Sequence, residues 1–195
     1  MPEFNLSSLV DSQLAAQPFP HFPLTNILTG GLDKLLFDWF EQTDAWGLTE
    51  TSFYKQYEFS FLDTDVPVQL SLLTSENTIA KIIAESQKAF GVSQLKLVGI
   101  TAHKLVDGHK IGVHNDFIDG DETHRLLIQI NENWQPENGG FLMLFNSKDP
   151  NDLASIIQPI NNTGIAFEIS PKSYHAVSTI HNFHRYTLVY TFSNN

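Results

Sequence analysis

The chain has 195 residues, 42% of them hydrophobic and 15 of them Phe, which is enough for one packed domain with a substantial core. Eleven Lys and Arg against 22 Asp and Glu give a formal charge of −11, which repels phosphate backbones and sets nucleic acid aside as a partner. Cysteine is absent, so disulfides, thiol nucleophiles and thiolate zinc sites are excluded, and any metal must be held by His, Asp or Glu. Residues 1–10 have neither a basic start nor a long apolar run, and no stretch reaches the roughly 18 apolar residues of a membrane span, so a soluble, cytoplasmic protein is expected.

In chain order, Pro18, Pro20 and Pro23 interleave with Phe19, His21 and Phe22 and read as an extended strap over the core. Leu32, Leu35, Leu36, Trp39 and Phe40 recur at helical spacing and predict an amphipathic helix over 32–40. Residues 57–61 alternate apolar and polar and predict a half-buried strand, followed by a loop over 63–67. Ser75 suits the cap of a second helix in which Ile79, Ile82, Ile83 and Phe90 share a face, with Gly91 just past its end. Beyond Gly91 short β-type runs follow at 95–106, 109–117, 125–131, 140–145, 164–169, 175–180 and 185–192, a spacing that suggests a sandwich or barrel. Asp107-Gly108 reads as a two-residue hairpin turn, which would pair the strand carrying His114 with 97–106.

The chemistry concentrates at His114-Asn115-Asp116. In an extended strand positions i and i+2 share a face, so the imidazole and the carboxylate would point at one spot. With one further histidine they make the facial ligand set of non-haem Fe(II) oxygenases, which leaves coordination positions open. His175 starts the penultimate β run, and Arg185, one of two arginines in the chain, stands on the last. Between them lie residues 125–134, Arg-Leu-Leu-Ile-Gln-Ile-Asn-Glu-Asn-Trp, and Gly139-Gly140-Phe-Leu-Met-Leu-Phe145.

This ordered set resembles the Fe(II)- and 2-oxoglutarate-dependent dioxygenases, prolyl-hydroxylase-like branch, over about 95–192. The resemblance implies a mainly β fold with supporting helices: a double-stranded β-helix, or jelly roll, with the N-terminal helices packed on the outer face of one sheet. It implies a single catalytic domain over 1–195, with 1–92 as helix and strand support and 93–195 as the core. His114, Asp116 and His175 would hold Fe(II), and Arg185 would fix the far carboxylate of 2-oxoglutarate with a planar, always-charged guanidinium. O₂ is the second co-substrate. The implied reaction is hydroxylation of an aliphatic C–H on a peptide or protein residue, with 2-oxoglutarate decarboxylated to succinate and CO₂. A free amino acid or small metabolite is the alternative substrate, and a non-catalytic jelly-roll binding module the alternative of another class. Asp116 argues against halogenation, because related halogenases carry a small residue in that place.

His181 and His184 compete for the distal ligand position, but the resemblance implies a turn between strands before Arg185 for which they leave too few residues; His184 also alternates with Arg185 and should face the other side. Thr187 and Thr191 share the inward face with Arg185, and Thr187 is a candidate to assist the co-substrate. Many relatives carry a tyrosine on the strand before His-X-Asp, whereas this chain has Ala102-His103-Lys104-Leu105, so His103 or Lys104 is a candidate donor to the co-substrate. Arg125 either touches substrate, backs a metal ligand, or pairs structurally with an acidic neighbour such as Asp119 or Asp121, and Trp134 is a candidate to touch substrate or to back the site. The acidic loop 119–122 reads as solvated or as lining the entrance, and His21, His109 and His124 as surface or turn residues.

Overall fold

A computed structural model describes residues 2–11, 13–118 and 121–194. Its elements in chain order are β1 (Glu3–Phe4), α1 (Ser7–Asp11), β2 (His21–Thr25), β3 (Leu28–Thr29), α2 (Leu32–Gln42), β4 (Gly47–Glu50), β5 (Lys55–Ser60), a 3-10 segment (Val68–Thr74), α3 (Glu76–Phe90), β6 (Lys96–Leu105), β7 (Ile111–His114), β8 (His124–Gln129), a second 3-10 turn (Pro136–Asn138), β9 (Leu142–Phe145), β10 (Leu153–Ile157), β11 (Thr163–Glu168), β12 (His175–Val177) and β13 (Arg185–Ser193). Seven strands form one sheet in the order β2-β11-β8-β13-β6-β5-β4, and four form a second in the order β10-β9-β12-β7. Neighbours run antiparallel throughout both sheets. The result is the jelly roll that the sequence predicts.

Both longer helices sit where their apolar stripes require. α3 is capped by Ser75, whose Oγ accepts from the Thr78 amide at 3.3 Å, and it ends at Gly91 with φ 68. α2 begins after Gly31 at φ 81 and buries Leu32, Leu36 and Phe40. These side chains, with Leu70, Leu73 and Ile82, pack on Ile100, Ala102, Leu126, Ile128, Tyr186 and Leu188 of the larger sheet. Each such buried Leu, Ile or Phe stabilises the fold by about 1.5–3 kcal/mol.

The alternation of β13 divides the molecule. Tyr186, Leu188, Tyr190 and Phe192 belong to the helix-covered core, while Arg185, Thr187 and Val189 line a cavity between the sheets. Leu105, Leu142, Leu144, Ile165, Phe167, Val177 and Ile180 fill the rest of the space between the sheets.

Several expectations are corrected. The Pro-aromatic strap becomes β2, an edge strand paired with β11; Pro23 is tolerated there because an edge leaves one side of the backbone without ladder partners. Asp107-Gly108 does turn, with the His109 amide bonded to the Val106 carbonyl at 2.9 Å, but it does not fold the chain back into a hairpin. Its Gly108 amide donates to the Ile180 carbonyl and Asp107 Oδ1 accepts from the Asn182 amide, so the corner is tied to the link before β13. The chain thereby crosses to the smaller sheet: β6 pairs with β5 and β13, and β7 pairs with β12. β10, absent from the expected strands, is a largely exposed five-residue edge strand beside β9. Among the described residues no helix is long and apolar enough to cross a membrane.

Candidate metal and co-substrate site

His114 closes β7 and His175 opens β12, and the two are opposite one another in the antiparallel register, with ring centroids 4.2 Å apart. Each ring is held by its own backbone: His114 Nδ1 donates to the Gly112 carbonyl at 2.9 Å and His175 Nδ1 to the Ser173 carbonyl at 2.8 Å. A carbonyl can only accept, so both protons sit on Nδ1 and both Nε2 lone pairs are left for a metal.

Asp116 reaches the same point by a route that strand alternation does not describe. β7 ends at His114, and Asp116 has φ 57, a left-handed conformation uncommon for a non-glycine residue but one that Asp tolerates better than most. Its Oδ1 lies 3.3 Å from His114 Nε2 and its Oδ2 3.2 Å from His175 Nε2. One ligand atom from each residue falls within 4.8 Å of the others. Neighbouring ligands on a six-coordinate ion with bonds of about 2.1 Å stand roughly 3 Å apart, so the trio needs little adjustment to close on one.

Arg125 holds Asp116 from behind: Nη1 donates to Asp116 Oδ2 at 2.6 Å and Nη2 to Glu122 Oε2 at 2.6 Å. Burial works against ionisation of Asp116, but its polar contacts with the two imidazoles and the charge of the Arg125 guanidinium outweigh it and keep the carboxyl well below the usual range. Burial lowers the pKa of His175, partly offset by Asp116. A carboxylate beside neutral imidazole is the protonation state that metal binding requires.

The trio opens on a cavity of about 270 Å³ that also contains His103, Arg185 and Thr187. The Arg185 side of the cavity is unusual. The residue is 4% exposed, its Nη1 donates to Thr187 Oγ1 at 2.9 Å, its Nε has no partner, and no carboxylate pairs with it among the described residues. Burial pushes its pKa down to about 10. A buried guanidinium without an anion is costly and calls for one. Gly140 makes room for it: at φ 72, a Cβ there would stand 2.9 Å from Arg185 Cδ and 2.7 Å from Ile180 Cδ1. Three metal-type ligands and a charged anion receptor in one cavity fit Fe(II) with a dicarboxylate keto acid.

The remaining candidates divide by face. His103 and Thr187 line the cavity, and burial, with help from Arg125, pushes His103 down to about 4. Lys104 does not line it: it points to the outer face, where its Nζ stands 5.7 Å from the Trp46 ring and 5.6 Å from Tyr186, because it alternates with His103. Trp134 is also away from the cavity; its Nε1 donates to the Gly139 carbonyl at 2.8 Å and braces the turn ahead of Gly140. Arg125 pairs with Asp116 and Glu122 in place of Asp121, and Asp119 with Gly120 lies outside the described residues. His184 faces Glu41 at 3.6 Å on the helix side, and His181 is exposed. His21 and His124 are buried strand residues, whereas His109 stacks on Tyr57. Sequence reasoning missed Phe53, Tyr54, Gln56 and Glu58, which line the cavity from β5 and the turn before it. Their signal was the polar half of the β5 alternation, read as facing water when it faces the cavity.

Residues 100–192 match the family described as the 2OG-Fe(II) oxygenase superfamily. No curated protein sequence matches the chain. Among solved structures it is similar to a Pseudomonas putida prolyl-4-hydroxylase, with 15% identity and a TM-score of 0.72 over 90% of this chain and 92% of that one. It is also similar to a prolyl hydroxylase from Trichoplax adhaerens solved with a hypoxia inducible factor peptide fragment, at 13% identity and a TM-score of 0.74 over 89% and 83% of the two chains. A third likeness is to the viral collagen prolyl hydroxylase of Paramecium Bursaria Chlorella virus-1 in its 2OG complex, with 12% identity and a TM-score of 0.64 over 88% and 94%. Over residues 100–192, just under half of its length, the chain is thus similar to the 2OG-Fe(II) oxygenase superfamily, and its His114, Asp116 and His175 trio fits the iron that this family's description names.

Proposed function

We propose that the chain hydroxylates an aliphatic carbon of a peptide or protein residue, with Fe(II) on His114, Asp116 and His175 and the far carboxylate of 2-oxoglutarate on Arg185. The observation that carries this reading is the pairing, in one cavity, of three converging ligand atoms with a buried guanidinium that no carboxylate among the described residues pairs with. Bound iron and keto acid would supply the activation of O₂, with 2-oxoglutarate leaving as succinate and CO₂ and one oxygen atom going to the substrate.

The chain's own residues prepare the rest. Arg185, supported by Thr187, draws the dianion in and fixes its far end; the two carbonyl-anchored imidazoles and Asp116 offer lone pairs from one side only. Arg125 keeps Asp116 ionised and oriented. Phe53, ring to ring with His114 at 5.1 Å, and Phe167, 5.3 Å from His175, wall the metal end against water. The fold neighbour solved with a peptide supports a peptide-type substrate. We take residues 1–195 as one catalytic unit in which the first 92 do more than support, since β5 belongs to the larger sheet and walls the cavity.

Anaerobic mixing with Fe(II) and 2-oxoglutarate tests this. The wild type should give the visible charge-transfer band of the chelate, His114→Ala should abolish it, and Arg185→Ala should demand far more keto acid. A wild type that binds either component alone but never both refutes the proposal.

A further inference from the structure

One wall of the cavity is used neither by the metal trio nor by Arg185. It is built by β5, whose Gln56 and Glu58 face inward while Phe59 packs in the helix-covered core. Glu58 Oε1 accepts from Thr49 Oγ1 at 2.7 Å and Oε2 from Gln56 Nε2 at 2.6 Å, both neutral donors. No Lys or Arg pairs with it among the described residues; its only ion-pair partner is His103, at 3.9 Å. The contrast is with Asp116, which also lines the cavity, and with Glu122: the two share Arg125.

Gln56 supplies a second and independent sign. It is 5% exposed and lines the cavity, yet its Oε1 finds no donor. The amide cannot be turned over to cure this, because its Nε2 faces a carboxylate that only accepts. A buried acceptor left unmade is expensive, and here it adjoins a carboxylate with no cation. 2-Oxoglutarate, itself all acceptor, cannot satisfy either group. A cation with several N–H donors satisfies both.

We propose that Glu58 and Gln56 form a subsite for an aliphatic ammonium group, so that the substrate carries a protonated amine close to the carbon that is hydroxylated. The inference rests on the hydroxylase reading above and narrows its substrate. Pockets for small molecules commonly run from about 300 to 1,000 Å³, so a cavity of about 270 Å³ shared with the co-substrate admits one amine-bearing residue and little more. The amine is either the α-nitrogen of a terminal or free amino acid, or the end of a side chain, and the two are separable by experiment.

The test uses the anaerobic Fe(II) and 2-oxoglutarate complex of the full chain and reads the perturbation of its charge-transfer band by added ligand. L-Prolinamide, L-leucinamide and pentylammonium are compared with N-acetyl-L-prolinamide, N-acetyl-L-leucinamide and pentanol. At least one cation should act at a concentration lower than its neutral counterpart by on the order of tenfold to a hundredfold. The two amides report an α-amine and pentylammonium a side-chain amine. Glu58→Gln should keep the band of the chelate and bring cation and neutral partner within about twofold of each other. Should Glu58→Gln fail to fold, Thr49→Val answers instead: it removes a donor from Glu58 Oε1 and should keep or increase the preference for the cation, and loss of that preference counts against the subsite. Equal responses to cation and neutral partner, or a preference that survives in Glu58→Gln, overturns the inference while leaving the hydroxylase reading intact. Absence of the band in the wild type overturns both.

Discussion

His114 and His175 are Cα partners across β7 and β12, so two metal-type ligands far apart in sequence are brought together by a single strand pairing. The pairing is short, and a register shift follows His175 before Val177 meets Ile111. Metal binding should therefore stabilise the pairing, and the pairing should hold the ligands in place. His175→Ala should weaken Fe(II) or Mn(II) affinity by at least about 100-fold, measured by calorimetric titration, with the far-UV spectrum retained.

Arg125 provides a finer test. It lines the cavity and bonds Asp116 and Glu122 through its two Nη atoms. Arg125→Met should lower metal affinity by about 10-fold to 100-fold through loss of the bond that orients Asp116. Glu122→Gln, which leaves the Asp116 contact in place, should have an effect several times smaller.

Lys104 and Arg185 separate the two faces of the larger sheet. Lys104→Met should leave the 2-oxoglutarate concentration dependence unchanged and cost about 0.5–1 kcal/mol in urea unfolding, from the lost contacts with Trp46 and Tyr186. Arg185→Lys keeps the charge but not the fork, and should raise the keto acid concentration needed by about tenfold or more.

Gly140 has a predicted phenotype without touching any ligand. At φ 72, with Arg185 and Ile180 in the way of a Cβ, Gly140→Ala should destabilise the fold by about 1–3 kcal/mol. It should also weaken 2-oxoglutarate binding by displacing the guanidinium, which titration of the charge-transfer band would detect. Equal loss of stability in a Gly31→Ala variant, where a Cβ meets nothing, would leave the band unaffected.

Burial pushes His124, the first residue of β8 and packed against the Phe90 ring, down to about 4 from an ordinary value of 6.5. Between those values the unfolded chain binds a proton that the folded chain refuses. Its contribution is full above pH 6.5 and is lost as pH falls towards 4, by about 1 kcal/mol per pH unit. Urea unfolding at pH 7 and pH 5 should show a slope of this sign, to which the likewise lowered His103 and His175 add, and His124→Phe should lessen it.

Much of this was legible in the chain because it depends on local pattern. The cap at Ser75, the stop at Gly91 and the two-faced alternation of the last strand follow from side-chain chemistry within a few residues. What was not legible depends on where one sheet hands the chain to the other. Asp107-Gly108 has the composition of a hairpin, but its amide and carboxylate are claimed by Ile180 and Asn182, residues distant in sequence. Asp116 reaches His114 through a left-handed backbone turn, so the strand argument found the right pair for an incomplete reason. The inward face of β5 escaped notice because a polar stripe facing water and one facing a cavity are the same in sequence.

On the proposed reading, the buried guanidinium of Arg185 also makes the co-substrate a folding ligand. Without an anion the protein carries a buried charge whose removal, in Arg185→Met, should raise resistance to urea above that of the wild type. Added 2-oxoglutarate with metal should reverse the order, giving the wild type about 2.7 kcal/mol at a hundredfold excess over its dissociation constant and the variant almost nothing. The difference between the two unfolding curves, with and without co-substrate, therefore measures what the buried charge costs the resting protein.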